Sequence, residues 1–495
     1  MLPSDPQRAI AAYRASLPPG DFSQFRIDPV DYLGVPIVNV DLFTADGGHY
    51  NGIGYGADEA SATRGAFGEL CEEAHLTLAY DRLPVRTASY HGMVRRYGSA
   101  AVIDPLTMVL AAGSPYNPDR PQRWVEIERL SDGQPTWCVA EFVATGNGQV
   151  NYPNRLETAI RNGSGAGDTA TRAVLHGLLE LLQRDGNADC FRALDRGIVL
   201  APDTLPASVR TLIDDLAGRG LHVTTKLARV TCGCPSVYAV GDDRTDDDFP
   251  LGVTATGEGC DPSYETALRK AVLECASSHS RKRFNNLSWQ RKEPVLPPGF
   301  REVATKTINL DKEEERALRA MTDWLTTPRA LLRAKLADNV FRSARTVDAQ
   351  TLPDFRSDDL DERLEHVLAG FRAEELTPYV FRSTTTGGHC HVVKMIVPGI
   401  EQELGSYHRI GVRNVERLLA REEPRLIARE DGPGRKRIRL TAADEERVGG
   451  PVWLEADRLD ALVDPVYPLY REPSGHAAVH ALDTGYFDTV SSPAR

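Results

Sequence analysis

Hydrophobic and polar positions along the chain repeat one arrangement three times: a Gly-rich segment is followed by a largely apolar stretch with helical periodicity. The Gly-rich segments are expected to be loops, because closely spaced Gly favours turns. The loops are predicted at residues 52–56, 162–168 and 257–262, and the helices after them at about residues 58–82, 169–183 and 263–280. The pattern therefore predicts three loop–helix units.

Runs rich in β-branched and aromatic residues predict strands elsewhere in the chain. One strand is predicted at residues 35–40, and a turn at 131–134 joins two others at 124–129 and 136–143. Further strands are predicted at residues 221–227, 235–240, 379–381 and 392–397, and further helices at 207–217 and 360–373. Because strands and helices alternate irregularly, we predict an α+β fold with mainly antiparallel sheets.

The composition of the chain changes twice along its length. Residues 281–377 are charged and flanked by Pro, and the segment 311–316 within them is predicted to be an exposed helix. After about residue 418 basic and acidic segments alternate, and turn-forming residues then become frequent. We therefore predict one domain over residues 1–420, with a lead-in at 1–34 and a charged connecting region at 281–377, followed by a C-terminal extension at 421–495.

Each of the three predicted helices carries carboxylates inside its apolar run: Glu69 and Glu72 in the first, Glu180 in the second and Glu274 in the third. Such positions need a reason, because burying an unpaired carboxylate is costly. If the helices converge, the acids form a negatively charged pocket that requires a metal ion or a cationic group. The competing interpretation is a solvated helix face, on which Glu180 and Arg184 pair across one turn.

Overall charge and composition restrict the class of partner. The chain of 495 residues has 58 basic and 70 acidic side chains, and its net charge of -12 argues against nucleic acid or an anionic membrane as a partner. No apolar run has the length of a membrane helix, and the first residues do not resemble a secretory signal. Eight Cys in a chain of this size do not make a disulfide scaffold, so we expect a cytoplasmic protein.

Two short clusters of potential metal ligands receive a structural interpretation. Cys232 and Cys234 are separated by one residue, which does not fit a zinc knuckle, and we interpret both as small core residues. His389 and His391 lie on one face of a predicted strand around Cys390. They offer half of a metal site, but we favour a polar entrance to the apolar strand that follows.

The second unit carries the most specific motif. Residues 162–169, followed by Ala173 and residues 178–185, resemble the YcaO family's segment Ser-Asn-Gly-x-Ala-x-Gly-x-x-x-x-Glu-Ala that runs into Glu-x-x-Glu-Arg-Asp. Residues 54–56 with Glu69 and Glu72 are similar to that family's first motif, Gly-Lys-Gly followed by Ser-x-x-x-Glu-x-x-Glu-Arg, and residues 257–274 are similar to its third. The resemblance extends from about residue 35 to residue 418.

The resemblance implies a YcaO-like fold and an ATP-dependent enzyme without a P-loop. In that family acidic residues hold magnesium against the triphosphate, and a backbone amide oxygen of a ribosomally made peptide is phosphorylated, which leads to azolines, thioamides or amidines. The implied magnesium ligands are Glu69, Glu72, Glu180 and Glu274, and the implied nucleotide-binding residues are Tyr55, Gly56, Asn162 and Arg184. The implied partners are a leader-bearing precursor peptide, a separate leader-recognition or partner protein, and a second copy in a homodimer.

Several positions depart from the family motifs. Tyr55, Gly65, Glu73, Arg161, Arg172 and Gln183 stand where the family has Lys, Ser, Arg, Ser, Glu and Glu, respectively. Because these changes redistribute charge around one pocket, two hypotheses stay open: an active enzyme with an altered ATP site, and a catalytically silent member that binds a peptide or scaffolds an active partner. A metal-dependent hydrolase has little support, because no His-rich ligand set accompanies the acids.

Overall fold

Helices and strands alternate along the chain in the computed structural model, which describes residues 6–189, 192–383, 390–402, 404–421 and 424–487. The strands are β1 (Gly20–Arg26), β2 (Ile37–Thr44), β3 (His49–Tyr55), β4 (Arg86–Ser89), β5 (Pro121–Arg129), β6 (Pro135–Val139), β7 (Ser164–Gly167), β8 (Ile198–Leu200), β9 (Leu221–Thr231), β10 (Cys234–Asp243), β11 (Thr254–Cys260), β12 (Arg345–Val347), β13 (Tyr379–Arg382), β14 (His391–Ile396), β15 (Ile427–Ala428), β16 (Arg435–Arg437) and β17 (Trp453–Glu455). The helices are α1 (Pro6–Ser16), α2 (Glu59–Tyr80), α3 (Tyr90–Tyr97), α4 (Ala170–Asn187), α5 (Ala207–Gly218), α6 (Tyr264–Asn286), α7 (Trp289–Lys292), α8 (Phe300–Thr307), α9 (Glu315–Thr326), α10 (Arg329–Leu336), α11 (Leu360–Ala373), α12 (Val412–Leu419), α13 (Ala442–Arg447), α14 (Ala456–Val463) and α15 (Ala477–Thr484).

Within the described residues the strands form four sheets, and nearly all of their pairs are antiparallel. Their orders are β1-β2-β3, β11-β10-β9-β8-β12, β4-β5-β13-β14-β7 with β6 on β5, and β15-β17-β16. The pair β8–β12 is parallel. Long helices cover the larger sheets, as amphipathic elements require for a shared core. The predicted α+β fold with mainly antiparallel sheets is therefore confirmed.

The Gly-rich segments predicted as loops are strands instead, namely β3, β7 and β11. Their glycines let a helix backbone lie directly on the strand: a Cβ on Gly52 or Gly54 would sit 2.1 Å from a carbonyl oxygen of α2. The same holds for Gly165 against α4 and for Gly257 and Gly259 against α6, with gaps of 2.2, 2.2 and 2.1 Å. The three units are therefore strand–helix units in close backbone contact, not loop–helix units.

Several other predictions can be compared with the observed elements. The helices at 207–217 and 360–373 are confirmed, whereas the helix predicted at 311–316 begins only at Glu315 and the strand predicted to reach residue 143 ends at Val139. Cys232 and Cys234 are buried beside the β9–β10 turn, which confirms them as core residues. His389 lies outside the described residues, and within those residues no group of three or more His, Cys, Asp or Glu side chains is arranged to hold a metal ion.

The C-terminal residues pack into the same core as part of the charged connecting region. Leu318 and Trp324 of α9 and Leu332 of α10 share one hydrophobic cluster with Leu459 and Tyr467 near the end of the chain. The domain boundary near residue 420 stays a prediction. In the described part of the chain, no helix combines the length and the apolar character needed to cross a bilayer.

His279 forms a fully buried charged cluster that joins α6 to the lead-in segment. Its Nδ1 lies 2.8 Å from Asp31 and its Nε2 lies 3.4 Å from Asp243, and all three side chains are shielded from solvent. Burial alone would lower the pKa of His279, but the hydrogen bonds to Asp243 and Asp31 outweigh it and raise that pKa above the ordinary value. Arg283 and Arg329 add positive charge beside the two carboxylates.

We expect that replacing the charged His279 side chain destabilises the folded protein. His279→Ala should lower the free energy of unfolding by about 3 kcal/mol, because two buried carboxylates lose a cationic partner. Because the pKa of His279 is higher in the folded than in the unfolded protein, its contribution to stability is largest below about pH 6.5. That contribution is lost as pH rises through the folded-state pKa. Urea denaturation at several pH values checks this; an equal loss of stability at about pH 6 and pH 9 would contradict it.

Candidate functional site

Three sheet edges lie at the strand–helix units. β3, β7 and β11 are each the last strand of their sheet, so one edge of each lacks a neighbouring strand among the described residues. The helices that follow them, α2, α4 and α6, lie against their own strands because the glycines leave no side chain between. An edge strand presents unpaired N–H groups, which need acceptors when they are enclosed.

Glutamates supply those acceptors. Ile53 N donates to Glu69 Oε2 at 3.1 Å, and Asn51 N donates to Glu73 Oε2 at 2.9 Å. On the opposite edge, Ala166 N donates to Glu72 Oε1 at 2.9 Å.

The fourth glutamate binds the same edge. Gly163 N donates to Glu180 Oε2 at 2.9 Å. Glu72 thus extends from α2 to β7, while Glu180 comes from α4, and the two helices are tied to one edge by carboxylates. Each of Glu72 and Glu180 uses one oxygen on a backbone amide and keeps its second oxygen for other contacts.

These carboxylates line one cleft of about 240 Å³. Its walls consist of Glu69, Glu72, Glu73, Thr145, Arg161, Ser164, His176, Glu180 and Arg281. We call it the acid cleft. Three of the four glutamates predicted to hold magnesium therefore converge, although they come from two helices that are about one hundred residues apart in sequence.

The electrostatics of the acid cleft favour uptake of a cation. Desolvation by the cleft walls, together with Glu180 and Glu69, raises the pKa of Glu72 well above its usual range. Desolvation also raises the pKa of Glu69, although Arg281 opposes that effect and the side chain remains open to the cleft. A bound divalent ion relieves both the desolvation and the mutual repulsion of the carboxylates.

Glu274 adjoins the acid cleft without lining it. Its Oε2 accepts a hydrogen bond of 2.8 Å from the hydroxyl of Tyr55. Burial raises the pKa of Tyr55 well above its ordinary value, and Glu274 and Glu69 act in the same direction, so the phenol remains a neutral donor. Tyr55, which stands where the family has Lys, therefore holds Glu274 by a hydrogen bond in place of a charge.

Two departures from the family motifs compensate each other. Arg161 Nη2 lies 2.6 Å from Glu73 Oε1, so the arginine at residue 161 neutralises the acid at residue 73. The Arg161 side chain is 58% exposed and lines the acid cleft, which it does not seal. Arg172 is directed away from the carboxylates, because its Nε donates to Asp168 at 2.8 Å.

Gln183 and Arg184 belong to a polar cluster behind the acid cleft. Lys270 donates to Gln183 Oε1 at 2.9 Å, and Arg184 lies 2.9 Å from Glu258 and 3.5 Å from Glu180. Glu258 is almost fully buried, with 4% of its side chain exposed. Arg184 thus connects an acid of the cleft to an acid behind it.

The remaining predicted residues are near the site but not on its wall. Asn162 is buried and lines a small neighbouring cavity, and its Nδ2 has no hydrogen-bond partner within the described structure. Gly56 lies at the β3–α2 junction, where a Cβ would sit 2.6 Å from the Cβ of Ser61. Gly65 is in contact with the backbone of Gly54, so a Ser there would crowd the strand.

Sequence reasoning overlooked two acids. Glu258 was hidden because it stands between two glycines in a segment predicted as a loop; in a strand, its side chain points away from the helix that the glycines contact. Asp185 lies at the end of the second motif, and it is fully buried and paired with Arg413 and Arg417 at 3.0 and 2.6 Å. The sequence signal for a buried Asp185 is its position at the end of an apolar helix.

Comparison with known proteins gives relatives that cover most of the chain. An uncharacterised protein of Methanothermobacter thermautotrophicus is 23% identical over 395 residues, which cover 78% of this chain and 91% of the relative. The structure of YcaO from Methanopyrus kandleri bound with AMPPCP and Mg²⁺ aligns with a TM-score of 0.56 at 18% identity, over 82% of this chain and 94% of that one.

A heterocyclase in complex with substrate and cofactor aligns with a TM-score of 0.57 at 17% identity and covers 81% of this chain. The aligned part is 52% of the heterocyclase, so this chain spans about half of its length. At this level of identity the two structures establish the fold. Residues 53–401 match the family model described as YcaO cyclodehydratase, ATP- and Mg²⁺-binding, a description that agrees with the cofactors expected from sequence. Because that match covers most of the chain, the protein belongs to the YcaO family.

Proposed function

We propose that this chain is an enzyme that binds ATP and Mg²⁺ in the acid cleft and phosphorylates a backbone amide oxygen of a ribosomally made peptide. The observation that carries the proposal is the convergence of Glu69, Glu72 and Glu180 on one cleft with Arg281 in its wall. A triphosphate with a divalent ion needs both kinds of charge at one place. The family description and the nucleotide-bound relative support the same cofactors.

The residues of the acid cleft fit this role. Mg²⁺ commonly uses one or two carboxylates and completes its shell with waters and phosphates, so a closed ligand cluster is not required. Glu72 and Glu180 would hold the ion. Glu72 has Oε2 left after its bond to Ala166 N, and Glu180 would offer Oε1, which lies 3.5 Å from Arg184, while its Oε2 accepts from Gly163 N. Arg281 is exposed at the cleft wall and would contact phosphate oxygens. When bound, ATP supplies the phosphoryl group that makes the amide oxygen a leaving group.

The protein contributes positioning and charge, and the product depends on the nucleophile that adds to the activated carbon. An azoline, a thioamide or an amidine results from a side chain, a sulfide or an amine, respectively. Leader recognition by a separate partner protein, or by a groove of this chain, belongs to the same proposal, as does a homodimer.

A catalytically silent member that binds peptide or scaffolds a partner is the second candidate. The observation that favours it is the neutral Gln183, which replaces an acid and is already engaged by Lys270. A chain of this kind would bind peptide without releasing phosphate.

The experiment traces the backbone amide oxygen of the peptide into the released phosphate. A precursor peptide with heavy oxygen in its backbone amides is incubated with the chain, ATP and Mg²⁺, and released phosphate is analysed by mass spectrometry. The proposed enzyme transfers the label into phosphate in proportion to the peptide's change in mass. Unlabelled phosphate would contradict amide activation, and peptide binding without any phosphate would establish the silent alternative.

The Glu73–Arg161 pair gives a separate prediction. Arg161→Ser alone leaves the Glu73 carboxylate without its partner at the cleft, so we expect the Kd for Mg²⁺-nucleotide to rise about tenfold, or about 1.4 kcal/mol. The double variant Glu73→Arg with Arg161→Ser restores a cation from residue 73 and should return the Kd to within about twofold of the wild type. Calorimetry on both variants checks this; a double variant as weak as the single one would show that nucleotide binding does not depend on a cation from this pair.

A further inference from the structure

The β9 slot is a cavity of about 460 Å³ that shares no lining residue with the acid cleft. It opens between β8 and β9 and is bordered by α5 and by residues 340–343. We define the slot by six of its lining residues: Leu205, Ile213, Val223, Lys226, Val240 and Phe341. Five of these six and about half of the whole lining are apolar, so a ligand with apolar side chains gains from binding there.

The slot exists because two neighbouring strands separate. β8 pairs with β9 only at Val199 opposite Lys226. Two residues later Ala201 N donates to Val347 O of β12 at 2.9 Å, so the chain has turned its amides toward the other neighbour. Pro202 follows on the slot wall and has no N–H to offer β9.

Among the described residues, no strand pairs with the other edge of β9 at residues 222–224, which are partly or fully exposed, whereas Leu221 and Thr225 are buried. On its other side this stretch pairs fully with β10, from Leu221 opposite Asp243 to Thr225 opposite Ala239. In an antiparallel pair every second N–H and C=O of a strand points away from the partner, and here these groups face the slot. Thr224 is exposed at this edge. An extended peptide can bind such an edge as an added strand.

The rim of the slot selects for negative charge. Arg210, Arg244 and Arg342 line it together with two acids, Asp214 and Asp242, so positive groups are in excess. Asp242 is already paired, with Arg244 at 3.0 Å and with Arg333 of α10.

The two other rim arginines keep their charge for a ligand. The Arg210 guanidinium donates to the carbonyl oxygens of Asp203 and Leu205, each at 3.0 Å, and the structure records no carboxylate partner for it or for Arg342 among the described residues. The floor is neutral as a whole, because buried Lys226 is paired with Asp195 at 2.7 Å. The slot therefore combines an open strand edge, apolar walls and a cationic rim.

We propose that the β9 slot binds an extended, acidic segment of the peptide substrate as an additional strand on β9. Backbone groups of the segment pair with residues 222–224, apolar side chains enter the slot, and acidic side chains meet Arg210 and Arg342. This rests on the proposed function in so far as the ligand is the substrate peptide. It assigns peptide capture to a surface separate from the acid cleft, which leaves the cleft free for nucleotide and the reacting amide.

The test measures binding of a fluorescein-labelled hexapeptide of alternating Glu and Val by fluorescence polarisation to the full chain. Reversing two rim charges with Arg210→Glu and Arg342→Glu should weaken binding at least about tenfold, since each exposed pair contributes modestly and reversal adds repulsion. Arg8→Glu, an exposed change on α1, is the matched control and should leave the Kd unchanged. The single variant Arg342→Glu keeps the test valid if the double variant does not fold, with about a threefold loss expected.

Strand addition has its own readout. A hexapeptide N-methylated at every second amide loses one hydrogen-bonding edge, so one of the two methylation registers should abolish binding and the other should not. Equal effects of both registers, equal binding of a Lys–Val hexapeptide, or insensitivity to the rim variants would overturn the proposal. Competition by inorganic phosphate alone at equal concentration would identify a small-anion site and would also overturn it.

Nucleotide binding separates this inference from the proposed function. The rim variants should bind Mg²⁺-AMPPCP like the wild type, because the slot and the acid cleft share no residues. Peptide binding that depends on the rim in a chain that binds no nucleotide would support the slot and contradict the proposed function. Nucleotide binding and turnover without rim-dependent peptide binding would support the proposed function and contradict peptide binding in the slot.

Discussion

Replacing Glu72 by Gln is expected to reduce Mg²⁺-dependent ATP turnover by at least about 100-fold, the scale of a lost electrostatic contact to the transferring phosphoryl group. Gln keeps the shape of the side chain and an oxygen that accepts the hydrogen bond from Ala166 N, so the link between α2 and β7 is retained. What the variant lacks is the negative charge. Initial rates of phosphate release at saturating peptide measure the effect.

Glu126→Gln is the matched control, because Glu126 is an exposed side chain on β5 outside the acid cleft. It should leave the rate unchanged. The thermal unfolding of both variants should resemble that of the wild type, which separates lost chemistry from lost folding. A Glu72→Gln enzyme with more than about a third of wild-type turnover would show that this carboxylate does not hold the ion.

Asp185→Asn is expected to destabilise the protein by about 3–5 kcal/mol, the cost of leaving buried charges without their counter-charge. The Asp185 carboxylate is fully buried between Arg413 and Arg417 of α12, and Thr231 Oγ1 and Glu401 N also donate to it, each at 3.2 Å. Asn has nearly the same size as Asp, but it carries no negative charge and cannot form an ion pair with either guanidinium. Chemical denaturation measures the loss, and Asp132→Asn in an exposed turn should cost less than about 1 kcal/mol.

The same carboxylate makes stability depend on acid pH. Burial alone would raise the pKa of Asp185, but Arg417 and Arg413 outweigh it and lower that pKa to about 2. Because the pKa is lower in the folded than in the unfolded protein, ionised Asp185 stabilises the fold at a pH above the unfolded-state pKa. This stabilisation is lost as the pH falls, so the free energy of unfolding should decrease by about 2.5 kcal/mol between about pH 4 and pH 2. Asp185→Asn should flatten this part of the profile; an unchanged acid profile would contradict the assignment.

Loss of Asp185 should also reduce activity in a characteristic way. Asp185 lies one and a half turns after Glu180 on α4, and its ion pairs fix the end of that helix to α12. Looser anchoring displaces Glu180 without removing it. We therefore expect Asp185→Asn to need a higher Mg²⁺ concentration for activity. A high Mg²⁺ concentration should partly restore its activity, whereas it should not restore the activity of Glu72→Gln.

Much of the fold and of the acid cleft could be predicted from the sequence because the signals are local. The Ala- and Leu-rich periodicity of α2, α4 and α6 placed the helices correctly, and the acids inside them indicated a shared pocket. The error at β3, β7 and β11 has a physical cause. Glycine is permissive enough for a loop, yet Gly52 and Gly54 are two residues apart, which is the repeat of a strand face in contact with a helix.

The features that the sequence could not give depend on contacts between distant residues. Glu73 and Arg161 look like two separate defects in two motifs, and their pairing is visible only when α2 and the segment before β7 are adjacent. Likewise, the partners of Asp185 lie more than two hundred residues later in the chain. The β9 slot arises where two strands diverge, and strand divergence leaves no composition or periodicity to recognise.

The central claim is that the acid cleft binds a nucleotide together with magnesium. Its most direct test is a calorimetric titration of AMPPCP into the full chain with and without Mg²⁺, and into Glu72→Gln with Mg²⁺. We predict one site per chain with a micromolar Kd that requires both Mg²⁺ and Glu72, about −8 kcal/mol at this affinity. No heat of binding at millimolar nucleotide, or binding that is the same without Mg²⁺ and in Glu72→Gln, would contradict the claim.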